Sequence, residues 1–179
     1  MFHLPLYNYA EANEFRKHTN ESLQQYGYCQ IPIIPQWKRL IFSPTEFSKP
    51  QGVVMTYERQ ASFGPILITV MPNGKAAMCY LPSGLWYFIG TCQKSVEGTL
   101  VFLADYAKSF FDSAFGGHFT VIDTLVYDNL NTVDFEWKER HDITKCINDF
   151  IVFPDRFKIS SAVLPQNASQ DKFNIYVLN

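Results

Sequence analysis

Cys92 and His118 are the two residues whose types and setting could do chemistry. Cys92 stands in Gly90-Thr91-Cys92 behind a hydrophobic run, and His118 follows Gly116-Gly117 at the head of another. A thiol attacks only as the thiolate, so it needs a base, a cation or a helix N-terminus to lower its pKa. The pattern predicts a helix starting at Ser95, just beyond Cys92, whose free amides would do this and also cradle an oxyanion. His118 would be the base, and Asp123 and Asp128 are the carboxylates that could orient it. This reads as a Cys/His thiol hydrolase or acyltransferase using Cys92 and His118.

Strand geometry argues against the orienting half of that constellation. In a continuous strand His118 and Asp123 point to opposite faces, because their separation is odd. Asp128 is on the correct face but about 33 Å along the strand. An orienting group would have to come from the Asp134/Glu136 side of a partner strand. The remaining candidates are weaker. His3, His18 and His141 lie far apart among polar neighbours and read as solvated surface histidines. A metal site would need His118, His141 and Asp142 to meet across a hairpin, and no ligand spacing calls for one, so no metal or cofactor is expected. Pro72-Asn73-Gly74 and Gly116-Gly117 are turn glycines and match no phosphate-cradling loop. Asp134, Glu136 and Glu139 with Lys138 and Arg140 read as a solvated strand edge, or as the acidic rim of an interface.

The elements that must position these residues follow from pattern and punctuation. Residues 10–26 form an amphipathic helix with a thin apolar stripe, closed by Gly27 and lying on a surface. The prolines around Ile31, Ile33 and Ile34 make 29–35 extended, and 37–42 is a short strand. Ser43-Pro44-Thr45-Glu46 is a capping box opening one or two helical turns. Residues 52–60 are a strand leading into a meander of 66–71, 75–81 and 85–90, joined by Pro72-Asn73-Gly74 and Pro82-Ser83-Gly84. Trp86-Tyr87-Phe88-Ile89 is apolar on both pleat faces, which predicts a central strand.

A long helix is predicted over 95–115, with Leu100, Leu103, Ala104, Ala107, Phe110, Phe111 and Ala114 on one face. A hairpin over 118–138 follows, its second strand (132–138) alternating cleanly enough to leave one face wet. Asp142 caps a helix over 143–150, and 157–164 and 172–178 are strands separated by a loop at 165–171. The fold class is α+β in one domain, 1–179. Its mainly antiparallel sheet combines the meander 52–90, the hairpin 118–138 and the C-terminal strands, packed by the helix 95–115.

Composition narrows the partners. Fifteen Lys and Arg stand against seventeen Asp and Glu, with no basic cluster, so no nucleic-acid partner is expected. No segment approaches the ~18 apolar residues of a membrane span, and no signal peptide is visible. Cys29, Cys79, Cys92 and Cys146 are scattered without a CxxC pair, which suggests buried, reduced thiols in a cytoplasmic protein. Aromatic residues reach 16% and can anchor interfaces as well as fill cores. Tyr7, Tyr9, Tyr26, Tyr28 and Trp37, in the polar N-terminal quarter, are the candidate anchors. The leading reading is a soluble intracellular protein-binding module, an inhibitor or immunity-type partner of another protein. The thiol enzyme is the alternative. A third reading is a binder of a small apolar ligand, held by Trp86, Phe88 and Phe102 between the sheet and the long helix.

Overall fold

The structure, a computed structural model, describes residues 6–24, 37–42, 53–55, 65–81, 83–107, 117–132, 135, 137–153, 157–161 and 173–178. The helix α1 (Tyr9–Gln24) comes first, then the strands β1 (Trp37–Phe42) and β2 (Val53–Met55). The meander follows as β3 (Pro65–Val70), β4 (Lys75–Tyr80) and β5 (Leu85–Thr91). Next come β6 (Gln93–Lys94), β7 (Leu100–Ala107), β8 (Gly117–Tyr127) and β9 (Leu130–Asn131). The helices α2 (Trp137–Lys145) and α3 (Ile147–Phe150) lead to β10 (Ile151–Val152), β11 (Phe157–Ser161) and β12 (Phe173–Leu178).

The large sheet runs β11-β8-β7-β3-β4-β5, with β9 beside β8. All its pairs are antiparallel except β11 with β8. A second sheet has the order β1-β12-β2, and β6 pairs with β10. The fold is therefore α+β around a mainly antiparallel sheet. The tight turns form where Pro and Gly stand. The Gly74 amide donates to Met71 O at 2.8 Å, and the Gly84 amide to Tyr80 O at 2.8 Å. Between β8 and β9, Asp128 (φ 55) and Asn129 (φ 67) adopt the left-handed pair that a two-residue hairpin requires.

The sheet is buried on both faces. On one, Phe15 and Leu23 of α1 pack over Leu67, Ala77, Cys79, Val101 and Leu103. On the other, Ile147, Phe150, Ile151 and Phe153 cover Ile68, Met78, Leu100, Phe102 and Val121. Phe150 lies 6.4 Å from the Phe102 ring and meets Tyr127 edge-on at 5.1 Å. A surface helix was expected over 10–26, but α1 is a cover for half the core.

Three expectations are corrected. No helix occupies 95–107: Leu100–Ala107 is β7, in the interior of the sheet. Its apolar run serves both faces, Leu100, Phe102 and Ala104 on one and Val101 and Leu103 on the other, so period-2 alternation vanishes and helical spacing appears by coincidence. The other residues of the expected helix, 108–115, lie outside the described residues. Second, β5 ends the sheet path instead of lying at its centre. It is apolar on both pleats because the sheet is covered on each side even at its edge. Third, the strand expected over 132–138 does not form where the chain is described: β9 ends at Asn131 and α2 starts at Trp137, while 133, 134 and 136 lie outside the described residues. Thr132 extends the pairing with β8 by one bond, its amide donating to Leu125 O, and the chain then turns, the Phe135 amide donating back to Thr132 O. The helix expected over 143–150 thus begins six residues early and breaks at Cys146 before α3. The capping box at 43–46, the extended 29–35 and the loop 165–171 lie outside the described residues.

Candidate functional site

The most exposed apolar surface among the described residues forms where the chain enters α1. Asn8 caps that helix, its Oδ1 accepting the Glu11 amide at 2.9 Å. Just before it, Leu6 bridges Tyr87 in antiparallel fashion, and the Tyr7 amide donates to Trp86 O at 3.0 Å. Residues 6 and 7 therefore fringe the outer edge of β5. Strand alternation turns Tyr7 toward α1. Its ring stacks on Phe15 at 5.3 Å and meets Phe88 edge-on at 5.6 Å, with Lys75 Nζ 5.7 Å above it. Phe15 in turn lies 5.9 Å from Trp86. Burial, with a smaller push from Glu11 and Glu14, keeps the Tyr7 phenol protonated far above neutral pH. The same alternation leaves Leu6 and Leu85 outside, 56% and 46% exposed, while Tyr9 at the helix start is 80% exposed.

Of the anchors expected from the sequence, Tyr9 is open and Tyr7 is a half-buried packing residue. Trp37 opens β1 opposite Leu178, and Tyr26 and Tyr28 lie outside the described residues. Leu6 and Leu85 were not among the expected anchors. The Ser83-Gly84 turn marks Leu85 as a strand-end residue, but no local signal marks Leu6, whose place depends on pairing with β5.

Cys92 and His118 are not brought together. Cys92 lies between β5 and the two-residue β6, and the helix expected to start at Ser95 is absent, so the N-terminus that was to activate the thiol is not formed there. Its amide donates to Gly74 O at 2.9 Å and its thiol donates to the same oxygen at 3.3 Å. Burial pushes the thiol up to about 11, against a smaller lowering by Lys94. His118 pairs with Ala107 at the far end of β7, whereas the Cys92 end of the sheet is marked by Leu100, Val70 and Ala76. About 20 Å of strand separates those ends. The aromatic trio of the ligand-binding reading is divided as well. Trp86 faces the α1 side beside Tyr7 and Phe88, and Phe102 lies in the opposite core.

A buried polar cluster sits on β8 between the residues paired with β11 and those paired with β9. Asp123 Oδ1 accepts from Arg140 Nε at 2.9 Å, and Arg140 Nη1 donates to Phe135 O at 2.6 Å. Thr124 and Thr144 join hydroxyls at 2.8 Å alongside. Burial raises Asp123 to about 6 although Arg140 opposes it. Arg140 was expected on a solvated edge, and His141 on the surface; both are buried because 137–145 is a helix lying on β8. His18 is likewise engaged, its Nε2 2.6 Å from Thr99 Oγ1. His3 lies outside the described residues. Asp128, the other proposed orienter, accepts the Gly98 amide at 2.6 Å and so fastens a loop.

Among the described residues no three His, Cys, Asp or Glu side chains gather as a metal would require, and no helix is long and apolar enough to cross a membrane. Cys79 and Cys92 are free and buried, and Cys146 is free and exposed; Cys29 lies outside the described residues. No family model matches the chain, and no curated protein matches it.

Proposed function

We propose that the chain is a binding module for another protein, working in the cytoplasm as a small inhibitor or immunity-type partner and not by catalysis. One observation carries this reading: of the five large hydrophobic side chains exposed among the described residues, Leu6 and Leu85 stand at the β5 edge of the sheet, and Tyr9 follows Leu6 at the start of α1. Clustered apolar exposure on a folded surface is the usual mark of an interaction site. Tyrosine is a favoured anchor because it brings a large area with few rotatable bonds. The packed rings of Tyr7, Phe15 and Trp86 beneath give the edge a rigid base. The free thiols of Cys79 and Cys92 support a reducing compartment.

The test is affinity capture with the wild-type chain and with a Tyr9→Ser/Leu85→Ser variant of equal thermal stability. A defined protein should be retained by the first and lost from the second, each anchor contributing more than ~1 kcal/mol. A capture profile unaffected by the two substitutions overturns this edge as the binding surface.

A further inference from the structure

Asn73-Gly74 is the one Asn-Gly step in the sequence, and it forms the turn between β3 and β4, with Asn73 exposed and Gly74 buried. In an open chain such a step cyclises readily, because glycine neither shields its amide nitrogen nor restricts the rotation required. The Gly74 nitrogen attacks Asn73 Cγ. A new N–Cγ bond forms, the Cγ–Nδ2 bond breaks, and the amide proton leaves with Nδ2 as ammonia. Water then opens the five-membered imide at either carbonyl. One product is aspartate; the other is isoaspartate, in which the main chain runs through Cγ and is one atom longer. The only co-reactant is water.

The folded turn opposes the first step at both reacting groups. The Gly74 amide donates to Met71 O at 2.8 Å, and Asn73 Oδ1 accepts the Lys75 amide at 2.9 Å. Gly74 is held further by its carbonyl, which accepts from the Cys92 amide at 2.9 Å and from the Cys92 thiol at 3.3 Å. Its φ of +87° and the approach of Cys92 O, 2.5 Å from where a Cβ would stand, show how tightly the turn is seated on the end of β5. Ring closure requires Asn73 and Gly74 to rotate out of this arrangement and to give up those bonds together.

We infer that Asn73 is a fold-gated modification site: the closed turn suppresses imide formation, local opening permits it, and the isoaspartate product keeps Gly74 O from recapturing Cys92. The extra main-chain atom displaces the Gly74 carbonyl from the end of β5. The Cys92 thiol then loses its acceptor and its cover.

The whole chain is incubated at mildly alkaline pH with and without urea, and residue 73 is followed by peptide mass spectrometry alongside alkylation of Cys92. Conversion in the folded chain should be at least about tenfold slower than in urea, because only opened molecules react. Folded chains carrying isoaspartate should alkylate at Cys92 faster than unconverted ones. Asn73→Ser, which retains an oxygen acceptor for the Lys75 amide but has no side-chain amide to lose, should keep Cys92 masked throughout the incubation without urea. Equal conversion rates with and without urea overturn the gating. Unchanged Cys92 alkylation in isoaspartate chains overturns the coupling. Freshly prepared Asn73→Asp, which adds the charge without the extra atom, should leave Cys92 masked; unmasking equal to that of isoaspartate overturns the backbone mechanism.

Discussion

Arg140 Nε sits 2.9 Å from Asp123 Oδ1, and the two side chains are 0% and 1% exposed. Such a pair resists loss of one member far more than loss of both, since a single deletion leaves an uncompensated buried charge. Arg140→Met should therefore destabilise the protein by about 3–5 kcal/mol, whereas Asp123→Leu/Arg140→Met should recover most of that loss. Urea denaturation of the three proteins checks this. A double variant no more stable than Arg140→Met would show that the charges are not the source of the cost.

Two buried groups on this cluster set opposite pH dependences. Asp123 is raised by burial from 3.8 to about 6, so its contribution is fully present below pH 3.8 and is lost as pH rises to about 6. His141 is lowered from 6.5 by burial and then by Lys145, against a smaller raising by Asp142. Its contribution is present above 6.5 and is lost as pH falls through its depressed value. Subtracting the stability profile of Asp123→Asn from wild type should give a difference that falls between pH 4 and pH 6. The same subtraction for His141→Gln should give one that rises with pH. Urea midpoints across that range measure both, and a flat difference for either variant removes that residue from the account.

Thiol reactivity should rank by cover. Cys146 is exposed, whereas burial pushes Cys92 up to about 11 and Cys79 up to about 12. Iodoacetamide at neutral pH should label Cys146 in the native protein and leave Cys79 and Cys92 protonated and largely unmodified until urea is added. Peptide mapping reads the order. Rapid native labelling of Cys92, slowed by His118→Ala, would restore the thiol-enzyme reading.

Leu103 lies on β7 with no solvent exposure, in the cluster that α1 covers. Leu103→Ala should cost about 2–5 kcal/mol, the lower figure applying if α1 settles into the space left. Thermal unfolding measures it. Unchanged stability would mean that α1 does not seal this face.

The meander was legible because its turns carry their own instructions: Gly74 and Gly84 stand where positive φ is needed. The strands at 37–42 and 173–178 were also readable, as short β-branched and aromatic runs. β7 was not, since a strand buried on both faces loses the alternation that identifies it. Arg140 could not be placed from sequence either. Its burial depends on Asp123, on a strand where the register with β7 slips twice, at Leu125 and at Ile122. Bulges of this kind re-aim side chains and leave little trace in composition. Tyr9 was recognisable as an aromatic anchor. That Leu6 and Leu85 join it depends on pairing between distant segments, which no local pattern records.

In the small sheet, β12 lies between β1 and β2, bonding Phe42 to Phe173 on one side and Met55 to Ile175 on the other. The strand drawn from latest in the sequence is thus the middle member, and its two neighbours come from the first third. During synthesis, β3, β4, β5, β7 and β8 can find one another as they emerge, because each pairs with a strand made shortly before or after it. β1 and β2 must wait with their edges open until Phe173–Leu178 has been made, and closing so long a loop is slow. A ribosome stalled before Phe173 would therefore carry a nearly finished large sheet and two strands exposed to any passing edge.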